Sequence, residues 1–300
     1  MGANDSVSKR VTWWQEDGFP IDRLYKGLSE LNTPQMQHSI SDFLRVFRAL
    51  EAFALGWATA HRLRLSHTRT ICAFVGHIAS QHSDGGAMFA KSEFRQILEM
   101  TPLIADVKNT NDDPLRSHLD LITAVEKYRA WRNDDTRLSK AGDALGELLC
   151  TIRGNATHTD KSTPYNPSTR QRDRKVLKAA VVVMQDLLER ALDKPSLRIA
   201  VYGSLCGNGE NHAQICDLGA PVMGRSEGVR TLVNQYPIFE WTIPGAIIPF
   251  EVYSSPKLTQ DRWEELDAFE GDTYRRLLIP IELLDDATCI VATAYGTFDS

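Results

Sequence analysis

The chain has 300 residues, of which 42% are hydrophobic and 24% are charged, and its formal net charge is −5. This length favours two domains, because single hydrophobic cores stop growing at roughly 250–300 residues. The negative net charge provides no overall attraction to nucleic acid. No apolar run reaches the roughly 18 residues that a membrane helix needs, so the sequence predicts no membrane association.

The N-terminal residues and the cysteines both indicate a protein of the reducing cytoplasm. Residues Met1–Arg10 are polar and lack the apolar segment of a secretory signal. The five cysteines show neither C-x-x-C spacing nor paired Cys/His spacing. We therefore predict free buried thiols, no metal site and a cytoplasmic location.

Apolar residues recur at helical spacing through the first two thirds of the chain. Ser39 or Ser41 is suited to cap the first of these helices, and Pro114 suits the first turn of another. The stripes lie at Phe43–Trp57, Ile71–Ile78, Phe94–Leu98, Leu115–Trp131, Ala141–Ile152 and Val176–Ala191. About six amphipathic helices with short connections predict a helical bundle. The polar stretch Gly154–Arg172 predicts a loop between the last two helices.

The pattern changes from helical to strand-like after residues 193–196. Short runs rich in Val, Ile and Tyr, separated by Gly and Pro, predict strands at Arg198–Tyr202, Ala246–Tyr253, Arg275–Ile281 and Cys289–Tyr295. The predicted domain boundary lies near Lys194–Leu197. The fold class is therefore α+β and multidomain, with an all-α bundle over residues 1–194 and a strand-rich domain over residues 197–300.

A short turn, Tyr202-Gly203-Ser204-Leu205, directly follows the first predicted strand. A glycine at such a turn lets successive backbone N–H groups point into one concavity, which can hold a carboxylate or a phosphate. The same turn also fits a purely structural role. Ser204 lacks the G-x-S-x-G context of a nucleophile, so we assign it to binding.

A candidate acid/base group lies at Glu270, near the end of a predicted helix. Leu258, Trp263, Leu266 and Phe269 supply the apolar face of this helix, and Gly271 is a natural stop. The partial negative charge at a helix C-terminus, together with burial, should raise the pKa of Glu270. A raised carboxyl pKa suits proton transfer near neutral pH, although a solvated surface glutamate is the alternative.

Taken together, these motifs resemble the γ-glutamylcyclotransferase-like family from about Arg198 to Tyr295. The matching blocks follow in the family's order and read Val201–Leu205, Gly209–His212, Phe250–Tyr253 and Leu266–Arg276. The resemblance implies a small β-barrel with flanking helices. It also implies an enzyme that needs neither a metal nor a cofactor.

The resemblance assigns roles to particular residues. The Tyr202–Leu205 backbone would hold the α-carboxylate of a small γ-glutamyl amine or peptide, with Tyr274 as a further binding residue. Glu270 would take a proton from the substrate's α-ammonium group. The freed amine would attack its own γ-carbonyl, and 5-oxoproline would leave after Glu270 protonates the departing amine.

A second candidate site lies in the helical part, at Arg153, Asn155 and His158. The segment Arg153–Lys178 carries seven Lys/Arg against two Asp, a local charge of +5 that could attract RNA. Arg153 and His158 would lie about 140° apart on an unbroken helix, so convergence on one ligand requires a break at Gly154 and Asn155.

This segment resembles the HEPN family, whose hallmark is Arg, four to six residues, and then His. Lys161 and Asp173-Arg174 extend the match, with Asp173-Arg174 predicted to open the final helix, whereas Gly154 stands where many active members carry Asn or Asp. The resemblance implies a homodimer through the helical domain, with RNA binding or metal-independent ribonuclease activity.

Two functions therefore compete. In the first, which the complete C-terminal motif favours, the chain is a γ-glutamylcyclotransferase-type enzyme and the bundle is its dimerisation domain. In the alternative, the bundle binds or cleaves RNA in stress or phage defence, and the barrel senses a ligand. A third reading, a binding module without activity in both halves, stays open.

Overall fold

The helices of the N-terminal part pack around one core. The computed structural model describes residues 14, 18–34, 39–81, 88–99, 120–126, 135–158, 167–233 and 236–297. The helices are α1 (Ile21–Asn32), α2 (Ser39–Ala60), α3 (His67–Gln81), α4 (Ser92–Glu99), α5 (Asp135–His158) and α6 (Pro167–Ala191). Residues 120–126 are helical as well. Across the described ranges, none of the helices combines the length and the hydropathy needed to cross a bilayer.

Most of the predicted helices are confirmed, and the structure adds α1. Leu24 and Leu28 are fully buried on one face of α1, and the helix starts directly after Pro20. The sequence signal for this helix was a pair of apolar residues spaced four apart after a proline. The polar residues between them obscured it. Of the predicted helix Leu115–Trp131 only residues 120–126 are described, and Pro114 lies outside them.

The bounds predicted for the loop, Gly154–Arg172, are wrong at both ends. Helix α5 continues through Gly154 to His158, and α6 already begins at Pro167. Ala156 is 6% exposed and belongs to the core between the helices, so packing extends the helix despite the polar composition. Asp173 consequently lies inside α6, and the prediction that it opens the last helix is also wrong.

The C-terminal part is a closed five-stranded barrel with one additional strand. The strands are β1 (Arg198–Val201), β2 (Val222–Val233), β3 (Tyr236–Glu240), β4 (Ala246–Ser254), β5 (Arg275–Leu283) and β6 (Cys289–Gly296). Their order is β3-β2-β4-β1-β6-β5, and pairing of β2 with β5 closes the ring. The β1–β6 pair is parallel, whereas the other pairs are antiparallel. Helix α7 (Gln260–Glu270) connects β4 to β5.

The four predicted strands are confirmed, but the β2–β3 hairpin has no counterpart in the sequence prediction. Gly224 and Gly228 interrupt the apolar pattern of β2, and glycine weakens a strand signal. Tertiary packing requires a residue without a side chain here, since a Cβ on Gly228 would lie 2.4 Å from the Phe239 ring.

The helical part and the barrel share a partly buried hydrogen-bonded contact. The Asn32 side-chain amide donates to the Leu278 carbonyl at 2.9 Å, and its Oδ1 accepts from the Leu278 N–H at 2.7 Å. These backbone groups belong to β5, which pairs with β2 only at its far end, at Glu282 and Leu283. Asn32 therefore satisfies strand groups that would otherwise form an open edge. The domain limits 1–194 and 197–300 stay a prediction.

We expect Asn32→Ala to lower the free energy of unfolding by about 1–3 kcal/mol, because two partly buried backbone groups of Leu278 lose their partners. Urea denaturation would measure the change. Thr33→Ala is the matched control, since it removes the exposed bond from the Thr33 hydroxyl to the Ser29 carbonyl and should cost less than about 0.5 kcal/mol. Equal stability of the two variants would contradict this account of Asn32.

Candidate active site

A cavity of about 390 Å³ opens at the C-terminal end of β1. Its walls come from β1 and the loop after it, the end of α7, the residue before β5, and strands β3 and β6. The lining residues are Ala200, Val201, Tyr202, Gly203, Ser204, Leu205, Asn211, Pro237, Phe269, Glu270, Tyr274 and Tyr295. The structure thus brings all six site residues predicted in the C-terminal domain to one cavity.

The loop after β1 presents backbone donors to this cavity. The N–H groups of Gly203, Ser204 and Leu205 donate to no protein acceptor among the described residues. The Cys206 N–H donates to the Gly203 carbonyl at 3.0 Å, which closes the turn. Successive unpaired amides beside a cavity form a concavity that can bind an anion such as a carboxylate.

Gly209 packs directly against the backbone of Ser204 in this loop. The Asn211 N–H donates to the Ser204 carbonyl at 2.9 Å, and the Gly209 N–H donates to the Cys206 carbonyl at 2.7 Å. A Cβ on Gly209 would lie 2.1 Å from the Ser204 oxygen, so only glycine fits against the loop. Asn211 lines the cavity, although sequence reasoning used it only as part of the Gly209–His212 motif.

Glu251 fixes the far end of the same loop. One carboxylate oxygen of Glu251 accepts both from the Gly207 N–H and from the Tyr253 hydroxyl, each at 2.8 Å. Glu251 lies on β4 opposite Val201, the last residue of β1. A side chain of the barrel wall thus holds this end of the loop.

Glu270 is the last residue of α7 and lines the cavity. Gly271, with φ of 69°, ends the helix in a conformation that favours glycine. Burial raises the pKa of Glu270 from 4.5 to about 7, in the direction predicted from the sequence. Its carboxyl group makes no hydrogen bond or ion pair within the described part of the chain. The group is therefore available to a ligand.

Neighbouring strands fix the end of α7. The Tyr295 hydroxyl donates to Asp267 Oδ1 at 2.7 Å, and the other Asp267 oxygen pairs with Arg276 at 3.2 Å. Asp267 lies one helical turn before Glu270. These contacts to β6 and β5 therefore set the position of the Glu270 side chain relative to the cavity.

Strand β3 holds the two predicted tyrosines. The Phe239 N–H donates to the Tyr202 hydroxyl oxygen at 3.1 Å, and the Tyr274 hydroxyl donates to the Pro237 carbonyl at 3.3 Å. Pro237 also lies against Gly203, since a Cβ there would be 2.8 Å from Pro237 Cγ. No sequence signal pointed to Pro237 or Phe239, because their role depends on where the hairpin packs.

Helix α5 does not contain the break that the predicted HEPN-type site requires for Arg153 and His158 to converge. Helix α5 is continuous from Asp135 to His158, so positions 153 and 158 lie about 140° apart around its axis. Arg153 is exposed. The side chains of Asn155 and His158 lie outside the described residues, as does Lys161.

Three or more His, Cys, Asp or Glu side chains do not gather into a metal-binding group anywhere in the described ranges. The five cysteines are free thiols as predicted, but only Cys72 is buried. The polar groups that line the cavity include the loop amides, the tyrosines and Glu270.

Comparisons with solved structures find similar chains of low identity. An AIG2-like protein from Mus musculus is 18% identical over 34% of this chain and 76% of its own, with a TM-score of 0.30. An uncharacterized protein from Pyrococcus horikoshii is 22% identical over 33% of this chain and 76% of its own, with a TM-score of 0.26. A protein from Arabidopsis thaliana is 21% identical over 33% of this chain and 66% of its own, with a TM-score of 0.27. No curated protein matches the chain.

Residues 199–299 match the family described as gamma-glutamyl cyclotransferase, AIG2-like (GGACT). This third of the chain is therefore a GGACT-type domain, and the match implies a cyclotransferase-type function. The match does not extend into the helical part. The HEPN resemblance, the homodimer and RNA as a partner stay predictions.

Proposed function

We propose that this protein releases 5-oxoproline from a small γ-glutamyl amine or γ-glutamyl peptide. The observation that carries the proposal is the cavity itself. It joins a half-buried carboxyl group of raised pKa, Glu270, to the unpaired backbone amides of Gly203, Ser204 and Leu205. Groups of this kind match the two charges of a γ-glutamyl head, an α-carboxylate and an α-ammonium.

Binding would place these charges against complementary groups. The α-carboxylate accepts from the amides of the loop after β1, where neutral donors hold it without a counter-ion. The α-ammonium then lies at the Glu270 carboxylate. Both reacting groups belong to one molecule, so a substrate held in its folded form gains much of its rate from proximity.

In the reaction, Glu270 would act first as a general base and then as a general acid. Glu270 removes a proton from the α-ammonium, and the neutral nitrogen attacks the γ-carbonyl carbon to form the ring C–N bond. The bond from that carbon to the leaving nitrogen breaks, and protonated Glu270 returns the proton to the departing amine. The ring nitrogen then gives up its second proton, which Glu270 passes to the released amine. The products are 5-oxoproline and an ammonium ion, and Glu270 is restored as a carboxylate.

The test is incubation of the full chain with a panel of γ-glutamyl amines and γ-glutamyl dipeptides, followed by detection of 5-oxoproline. Release from at least one member is the expected result. The absence of product from every member would contradict the proposal. α-Glutamyl dipeptides serve as controls, because their geometry does not place the free amine for attack on the same carbonyl.

The pH dependence of kcat/KM should report Glu270. The pKa of this group is raised from 4.5 to about 7, so below pH 7 the carboxyl group is protonated and cannot accept the α-ammonium proton. We expect kcat/KM to fall about tenfold for each pH unit below 7. An acid limb centred near 4.5 would contradict the assignment.

A further inference from the structure

Arg230 lies on the face of the β2–β3 hairpin that packs towards the active site. In the antiparallel register Arg230 is paired with Phe239, and directly opposed residues project from the same face of a sheet. Pro237, two residues before Phe239, shares that face and lies against Gly203. The Arg230 side chain therefore starts on the side of the hairpin that covers the loop after β1.

The charge of Arg230 acts on both ends of this loop. Burial raises the pKa of Tyr202 and of Cys206, and the positive charge of Arg230 opposes the rise at each of them. Glu270 and Tyr274 act on Tyr202 in the opposite sense, and Glu251 does so on Cys206. The guanidinium therefore lies within electrostatic reach of the cavity that holds Glu270.

Arg230 has no protein partner for its charge in the part of the chain that the structure describes, where it makes neither a hydrogen bond nor an ion pair. Arg225, five residues earlier on the same strand, contrasts with it. The Arg225 guanidinium binds both oxygens of Glu282, at 3.1 and 2.7 Å. An exposed arginine within electrostatic reach of a ligand cavity, with its forked donors unused, is suited to bind a carboxylate of the ligand.

We infer that Arg230 forms a second anion subsite, which selects substrates whose departing amine carries a carboxylate. This inference rests on the proposed function. The γ-glutamyl head uses the loop amides and Glu270, so the remaining positive charge at Arg230 faces the other half of the substrate. A γ-glutamyl amino acid supplies a carboxylate there, whereas a γ-glutamyl alkylamine supplies none.

Two substrates that differ in one carboxylate test the inference. γ-Glutamyl-alanine and γ-glutamyl-ethylamide have leaving amines of the same carbon skeleton apart from that group. We expect the wild-type chain to prefer γ-glutamyl-alanine. Arg230→Met should lower kcat/KM for γ-glutamyl-alanine by roughly 10- to 100-fold, mainly through KM, and change kcat/KM for the ethylamide less than about twofold.

Arg225→Met is the matched control, because it removes an exposed arginine of the same strand that is already paired. It should leave both substrates unchanged, and Arg230→Lys should restore part of the activity towards γ-glutamyl-alanine. The inference is overturned if the wild type acts equally on both substrates, or if Arg230→Met loses equal activity on both. In either case the release of 5-oxoproline, and with it the proposed function, still stands. If the wild type forms no 5-oxoproline from either substrate or from the wider panel, the proposed function itself falls and the inference falls with it.

Discussion

Glu270→Gln is expected to reduce 5-oxoproline release by about 10²- to 10⁴-fold, which is the usual contribution of a positioned acid/base group. Glutamine has nearly the same shape but can neither take the α-ammonium proton nor return one to the leaving amine. The loss should appear in kcat, because the loop amides still bind the substrate carboxylate. Single-substrate kinetics at pH 8, above the raised pKa of Glu270, would measure it.

Glu264→Gln is the control for this variant. Glu264 is an exposed glutamate on the same helix, where it accepts from the Gln260 side chain at 2.9 Å. It should keep wild-type kcat. A Glu270→Gln protein with more than about a tenth of wild-type kcat would contradict the role of Glu270, since general acid–base catalysis is typically larger than that.

The stability of the Glu270→Gln protein separates lost chemistry from lost folding. The folded state raises the Glu270 pKa from 4.5 to about 7, so it binds more protons than the unfolded state between these values. The group therefore destabilises the fold as pH rises through this window. The glutamine variant should gain stability relative to wild type between pH 4 and pH 8, as thermal unfolding at both values would show.

Gly209→Ala is expected to lower kcat/KM by about 10²-fold, the cost of moving a binding group by about 1 Å. The added methyl group would lie 2.1 Å from the Ser204 oxygen and 2.5 Å from its carbonyl carbon, so the loop that carries the anion-binding amides must shift. We also expect the free energy of unfolding to fall by about 1–3 kcal/mol from overpacking. Steady-state kinetics and urea denaturation would give the two values.

Gly154→Ala provides the matched glycine control. A Cβ at this position of α5 meets nothing within 4 Å. The substitution should raise stability by about 0.5–1 kcal/mol, since alanine favours a helix over glycine, and it should leave cyclotransferase kinetics unchanged. Wild-type kcat/KM in Gly209→Ala would show that the position of Ser204 does not matter for the reaction.

Local signals were sufficient to predict much of the candidate site. The apolar spacing of Trp263 and Leu266, followed by Gly271, places Glu270 in the last helical turn, as the structure has it. The glycine turn after β1 was equally visible. Both signals depend on residues close in sequence, where backbone preference and periodicity decide the outcome.

The rest depended on contacts between distant residues. Ala156 continues α5 because it packs into a core, although the surrounding composition is that of a loop. Pro237 and Phe239 reach the tyrosines only because the hairpin folds over the barrel. The cavity around Glu270 likewise includes residues remote in sequence, such as Tyr202 and Pro237.

The amino-acid sequence by itself determined which segments become strands or helices where periodicity is strong, and which carboxyl group ends α7. Tertiary structure alone decided that Asn32 covers β5, that Gly209 supports the loop after β1, and that Arg230 faces the cavity side of the hairpin. The physical reason is the distance along the sequence over which each effect acts. Helical and turn preferences act over a few residues, whereas burial and the pairing of charges depend on which surfaces meet after the chain has folded.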